Sequence, residues 1–363
     1  MKAIMKPVLG IAVATALSSA VMAEDRVVRI YNWSDYIAED TLEKFTAATG
    51  IKVSYDVFDS NEVLEAKVLS GQSGYDVVVP TSDYMARHII AGAYQKLDKS
   101  KIPNWKNLDT ELLANLSNYD EGNQYGAPYQ WGTTGIGYNV AKVEEILGED
   151  APTDSWDLFF KPENLAKLSQ CGVSVLDSAG EVLPLVMSYL GLDPNSTNTK
   201  DYDKAGELMS SLKPYITYFH SSRYISDLAN GDICIAIGWS GDIFQAMVRA
   251  EEAENDVEIG YYIPKEGTAM WSDMMVIPKD AKNVNEAHEF INFILDAQIG
   301  ADITNYVWYG SPNAAAREFI DAEILEDPGV FPVEGTKLFT FAVLPQKVNR
   351  YMNRTWTSVK SAQ

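Results

Sequence analysis

Histidine and cysteine are scarce in this chain, with three His and two Cys among 363 residues. His88, His220 and His288 stand in no metal-ligand spacing such as H-E-x-x-H. There is no G-x-S-x-G elbow and no P-loop, and nothing in the spacing favours a Ser-His-Asp arrangement. Gly135-Ile136-Gly137 opens like a dinucleotide loop, but Val140 occupies the place of the third glycine. Basic residues are also few: 29 Lys and Arg against 51 Asp and Glu, a formal charge of −22. Such acidity argues against nucleic acid and anionic membrane, and favours cationic partners or plain solubility. No long apolar run follows the N-terminal segment, so no transmembrane helix is expected. Repeats of solenoid period, heptads and low-complexity tracts are missing too.

What is present begins with a leader. Lys2 and Lys6 precede an apolar stretch from Val8 to Val21, and Val21-Met22-Ala23 reads as a cleavage site. The stretch is too short for a membrane anchor and holds no Cys for a lipid. Export is therefore expected, with the mature chain starting near Glu24. Loss of the two lysines takes the charge from −22 to −24. The remaining ~340 residues exceed what one hydrophobic core supports, so two lobes are the expectation. In an oxidising compartment Cys171 and Cys234 read as one disulfide, two separate buried thiols being the alternative.

The first third alternates strand and helix. Val27–Tyr31, Lys52–Val57 and Tyr75–Val79 read as strands. Helices over Glu39–Thr49, Asn61–Leu69 and Asp83–Ile90 end at Gly50, Gly71 and Gly92, with Ser60 and Thr81 or Ser82 as caps. That order specifies a parallel sheet. The Gly-rich stretch Gln130–Asn139 suits a crossing between lobes. A second α/β unit follows, with strands at Val173–Leu176 and Ile233–Ile237, helices at Glu181–Leu190 and Asp242–Ala253, and a strand Glu258–Ile263 expected to cross back. Met274–Ile277 and the helix Glu286–Leu295 would complete the first lobe.

The acids of interest share one position type. Asp35 follows the first strand in Trp33-Ser34-Asp35-Tyr36, and Thr81-Ser82-Asp83 follow the third. Glu181 begins a helix, Asp242 closes Trp239-Ser240-Gly241-Asp242, and Asp273 closes Trp271-Ser272-Asp273. Ligands bind at the carboxyl ends of strands in open parallel sheets, so these loops are expected to meet in one cleft. Any one acid has a simpler role as a helix-start charge. The repeated Trp–Asp pairing points further, because aromatic faces attract ammonium groups and carboxylates reverse the positive field of helix N-termini. Tyr261-Tyr262 offers a rival, since adjacent phenolates bind ferric iron, but with 20 tyrosines in the chain and this pair on an expected strand, packing is the simpler role.

Tyr31-Asn32-Trp33-Ser34-Asp35-Tyr36, Tyr75-Asp76-Val77-Val78-Val79-Pro80 and Pro103-Asn104-Trp105-Lys106-Asn107-Leu108-Asp109 carry a resemblance. So do Trp131-Gly132-Thr133-Thr134-Gly135-Ile136-Gly137-Tyr138-Asn139, Ile235-Ala236-Ile237-Gly238-Trp239-Ser240-Gly241-Asp242 and Ile263-Pro264-Lys265-Glu266-Gly267. Over essentially the whole mature chain the sequence resembles the periplasmic polyamine-binding proteins of ABC transporters, the putrescine/spermidine receptors of Gram-negative bacteria. The resemblance implies an α/β fold of the two-lobe periplasmic-binding-protein type (type II), each lobe a mainly parallel sheet flanked by helices. Its expected division is a signal peptide over 1–23, a first lobe over 26–133 plus 262–310, and a second over 134–261 plus 311–363. By motif position, Trp33, Ser34, Asp35, Tyr36, Thr81, Glu181, Trp239, Asp242, Trp271, Asp273 and Tyr309 would line the ligand cleft. Asp83 is an acid where many relatives carry a neutral residue.

The function so implied is non-enzymatic capture of spermidine or putrescine in the periplasm and delivery to an inner-membrane ABC permease. A monomer is expected, with no cofactor, metal or nucleic acid. Asp35, Glu181, Asp242 and Asp273 set four negative charges against two or three positive ones, which with Asp83 leans toward the triamine. The same architecture also serves receptors for another cation or for ferric iron. A periplasmic amide or ester hydrolase is the alternative of a different class, and it would need a nucleophile–base pair that the chain does not display.

Overall fold

Val, Ile and aromatic residues alternating with polar ones make Val27–Trp33 a strand, β1, and Lys52–Phe58 a second, β2. The two pair in parallel without a slip from Val27↔Lys52 to Trp33↔Phe58. The computed structural model describes residues 26–361, so the leader lies outside the described residues. Between β1 and β2 runs the helix Thr41–Thr49, which Gly50 ends in the left-handed conformation. Ser60 caps the helix Asn61–Leu69, its hydroxyl accepting from the Val63 N–H at 3.3 Å. β3 (Val77–Val78) lies parallel to β1 on its other side, and the helix Ser82–Ile90 follows.

The further strands are β4 (Tyr94–Gln95), β5 (Gly126–Asn139), β6 (Val173–Val175), β7 (Tyr218–Phe219), β8 (Ile235–Trp239), β9 (Ile259–Tyr262), β10 (Thr268–Pro278) and β11 (Leu338–Phe339). Two parallel groups result, β2-β1-β3 and β8-β6-β7, joined through the antiparallel pair β10-β5. This is the expected α/β fold of two lobes. β5 is the long crossing strand: up to Thr133 it pairs with β10, and from Thr134 onward with β8 and β9.

The return crossing differs from expectation. Residues 258–263 do not cross back; β9 pairs with Ile136–Asn139 at the far end of β5. The chain then turns at Pro264, with the Gly267 N–H bonded to the Pro264 carbonyl at 2.9 Å, and β10 makes the crossing instead. A φ of 112° at Gly267 shapes that turn, a conformation open to glycine.

Helices Thr199–Leu212 and Gln346–Ser361, which periodicity did not delimit, pack on each other and on the helix Ala179–Tyr189. The last of them is tied down by Trp356 and Lys360, whose nitrogens reach Asp177 at 2.9 and 2.6 Å. Val77, Val78 and Ile277 fill the first half of the core, and Val175, Ile235 and Ile237 the second.

Cys171 and Cys234 precede β6 and β8, which are neighbours in register Val173↔Ile235, and the two residues form the expected disulfide with Cα atoms 5.5 Å apart. Its sequence separation of 63 corresponds to about 4 kcal/mol of stabilisation by loop-closure entropy. Urea unfolding with and without a thiol reductant should show the reduced protein less stable by that order. Equal midpoints would mean that the native packing alone holds this edge.

Candidate functional site

Two of the acids arrive by the same device. Glu181 and Asp242 are each the third residue of a helix that starts where a parallel strand has ended: Ala179–Tyr189 after β6, and Ser240–Glu252 after β8. Asp273 arrives differently. β10 shifts register against β5 between Ser272 and Met274, and this irregularity brings Asp273 into a bridge with Thr81 at the end of the β3 segment. Bulges re-aim side chains in this way. The three carboxyls face one cavity.

Five rings wall it. Trp33 meets Trp239 at 5.4 Å between centroids, Trp239 meets Trp271 at 6.4 Å, Trp271 meets Tyr309 at 5.5 Å, and Tyr309 meets Tyr36 at 4.9 Å. Most of these contacts are edge-to-face, the arrangement the ring quadrupoles favour. The Trp33 indole is held by the Val79 carbonyl at 2.9 Å and the Trp271 indole by the Thr134 hydroxyl at 3.1 Å. Tyr309 fits because glycines leave room: a Cβ on Gly241 would stand 2.4 Å from its ring, and one on Gly132 2.8 Å.

Every hydrogen bond that the three carboxylates receive from a described side chain comes from a hydroxyl. Thr134 donates to Glu181; Tyr224 and Tyr309 donate to Asp242 at 2.6 and 2.7 Å; Thr81 donates to Asp273 at 2.8 Å. No ion pair among the described residues reaches any of them. Burial consequently pushes Glu181 up to about 8, and Asp242 and Asp273 each to about 7, although the hydroxyls pull the other way. A buried carboxylate without a counter-charge is costly, so the cavity is poised for a cation.

Of the eleven expected residues, ten line this cavity and Asp35 does not. Asp35 sits in the left-handed conformation, φ 53°, and pairs with Arg249 at 2.6 Å across the two halves of the chain. Asp83 also lies elsewhere, in a neighbouring cavity with Tyr84 and Arg87. The cavity therefore holds three carboxylates rather than four, and the charge surplus that leaned toward a triamine shrinks accordingly.

Ser60, Asn61 and Ser178 line the cavity without having been expected there, Ser60 having been read only as a helix cap. Asn61 holds Thr81 twice, accepting from its N–H at 3.1 Å and donating to its hydroxyl at 2.8 Å. A signal for Ser178 was present, because Ser178 and Glu181 have the spacing of a capping box. The box is not closed: Ser178 donates to Glu62 at 3.2 Å, and Glu181 turns into the cavity.

The ferric-iron pair is not assembled. Tyr261 and Tyr262 point to opposite faces of β9, toward the Thr133 hydroxyl at 2.8 Å and the Ser155 carbonyl at 3.0 Å. The histidines serve structure: His88 meets the Tyr94 hydroxyl at 2.7 Å, His288 accepts from the Asp98 N–H at 2.9 Å, and His220 accepts from the Ser222 N–H at 3.1 Å.

Residues 40–332 match a family described as bacterial extracellular solute-binding protein. The chain is 55% identical over 366 residues to the putrescine-binding periplasmic protein SpuD of Pseudomonas aeruginosa, covering 100% of each. It is 53% identical over 344 residues to the putrescine-binding periplasmic protein PotF of Escherichia coli, covering 94% of this chain and 93% of that one. A solved structure described as a putative spermidine/putrescine ABC transporter from Listeria monocytogenes superposes with a TM-score of 0.83 at 34% identity. It covers 93% of this chain and 100% of its own.

The raised carboxyls make stability depend on pH. Their unfolded values are those of ordinary acids, 3.8 for Asp and 4.5 for Glu, so at neutral pH the folded chain holds protons that the unfolded chain has released. Stability from these groups is full below about pH 4 and is lost as pH rises toward about 8. Relative to the variant Glu181→Gln/Asp242→Asn/Asp273→Asn, the ligand-free protein should lose thermal stability across that range. A difference between the two proteins that stays constant with pH would remove these three groups as its source.

Proposed function

The chain belongs to the bacterial extracellular solute-binding proteins, and from that premise we propose that it captures a linear polyamine, putrescine or spermidine, in the periplasm. It then delivers the ligand, as a monomer, to an inner-membrane ABC permease. The observation that carries this reading is the set of three buried carboxylates bonded only to hydroxyls inside a ring of aromatic side chains. Each ammonium of a polyamine supplies the counter-charge that the protein withholds. The indole and phenol faces cover the methylenes between, at about 0.8 kcal/mol per buried CH₂. The ligand positions are those named above without Asp35, whose carboxylate is already spent on Arg249. Binding and release are the whole activity; the carboxylates act as counter-ions and no bond is made or broken.

Relatives whose names specify putrescine support the diamine, and three carboxylates accommodate two or three ammonium groups. The two ligands are separated by competitive calorimetry. For either one, Asp242→Asn should weaken binding by roughly 3 kcal/mol, more than a hundredfold. Unchanged affinity would take Asp242, and with it this reading, out of the site.

Protons should also leave on binding. Diamines arrive charged, and they drive Glu181, Asp242 and Asp273 from partly protonated to ionised. Calorimetry near pH 6.5 in buffers of different ionisation enthalpy should therefore give different observed heats. Identical heats would mean that the carboxylates are already ionised in the empty protein.

A further inference from the structure

Residues 338–342 form a strap between the two halves of the chain. β11 runs parallel to the start of β10, Leu338↔Thr268 and Phe339↔Ala269. Asn195, in the loop after the helix Ala179–Tyr189, holds the next residues from both sides. Its amide nitrogen donates to the Thr340 carbonyl at 2.9 Å, and its amide oxygen accepts from the Ala342 N–H at 2.8 Å. The chain then enters the helix Gln346–Ser361, which packs on the second half. From the first half, past the helix Thr110–Leu116, Tyr119 reaches over and donates its hydroxyl to the Phe341 carbonyl at 2.6 Å.

Phe341, 8% exposed, seats its ring beside the cavity that holds Asp83 and Tyr84, and beside a second cavity whose wall includes Trp271. The strap and Trp271 thus line one cavity, behind the aromatic wall of the candidate ligand cavity. Among described side chains, the second half holds this segment through the two amide bonds of Asn195 and the first half through the Tyr119 phenol, with the crossing strand β10 alongside.

We propose that Tyr119 is a positioning residue that clasps this strap in the closed protein and sets how long the ligand stays. The inference rests on the polyamine-receptor reading above. Tyr119 does not line the candidate ligand cavity, so it acts through the strap and Trp271 on the lifetime of the closed form. Loss of one net hydrogen bond corresponds to about fivefold in a rate or an equilibrium. Interface changes of this kind appear in dissociation more than in association.

The test is stopped-flow kinetics with putrescine and spermidine on the full chain. Tyr119→Phe should raise the dissociation rate about fivefold while leaving the association rate and the unfolding temperature of the ligand-free protein unchanged. Asn195→Ala removes the opposite anchor of the same strap. The two links act in series, so the double variant should dissociate no faster than the faster single one. Dissociation unaltered in Tyr119→Phe, or effects that multiply in the double variant, would overturn the clasp. An unfolding temperature that falls without any kinetic change would reduce Tyr119 to a packing residue and overturn it as well. If the unmodified protein binds neither amine, the polyamine reading itself has failed, and that outcome is distinct from a failure of the clasp.

Discussion

Three carboxylates buried among hydroxyls set the terms for the rest of this molecule. Glu181, Asp242 and Asp273 come from three different elements, two helix starts and one bulged strand. Each is desolvated, and none forms an ion pair with a Lys or Arg among the described residues. A core that only needed stability would pair such groups or replace them with apolar ones, because unpaired buried charge is among the most costly features a fold can carry. Here the cost is left standing when the cavity is empty. A cationic ligand placed among them would relieve it, and part of the free energy of binding would then be free energy that the fold has withheld. Hydroxyls suit this role better than cations: they orient the carboxylates without neutralising them.

The architecture around the acids follows from where they come. Two lie at the carboxyl ends of parallel strands of the second half, and the third sits where β10 slips against β5. The crossing pair β5-β10 is therefore both the link between halves and part of the site. Thr134, the first residue of β5 to pair with β8, holds Glu181 and Trp271 together. Gly132, two residues earlier, leaves the space that Tyr309 and Trp271 occupy. The ion pair Asp35–Arg249 and the Tyr119 contact with the strap lie outside the cavity, on different elements, and hold the halves together without touching what lies between.

Much of this was legible in the residues. Alternation and capping marked β1, β2 and the helix Asn61–Leu69 to within a residue or two, because those signals are local. The Trp–acid pairs at Trp33, Trp239 and Trp271 marked the loops that meet, because strand ends in a parallel sheet converge whatever their distance in sequence. The disulfide was legible from compartment and count. The return crossing was not: residues 258–263 read as a strand and only 274–277 of β10 were delimited, and strand character says nothing of which neighbour a strand pairs with.

By itself, then, the sequence determined the α/β class, the acid and aromatic loops and the disulfide. Each rests on composition or on periods of a few residues. Only the tertiary structure decided which acids face the cavity. Asp35 and Asp242 both follow a strand and both stand near a Trp, yet a left-handed turn sends Asp35 outward to Arg249, while a helix start sends Asp242 inward to Tyr224 and Tyr309. Asp83, two residues after Thr81, likewise falls behind the cavity wall. The reason is directional. Residue type and spacing say that a carboxylate is near the end of a strand, but the side it points to is set by one backbone turn and by the partner waiting there, and that partner comes from a distant part of the chain.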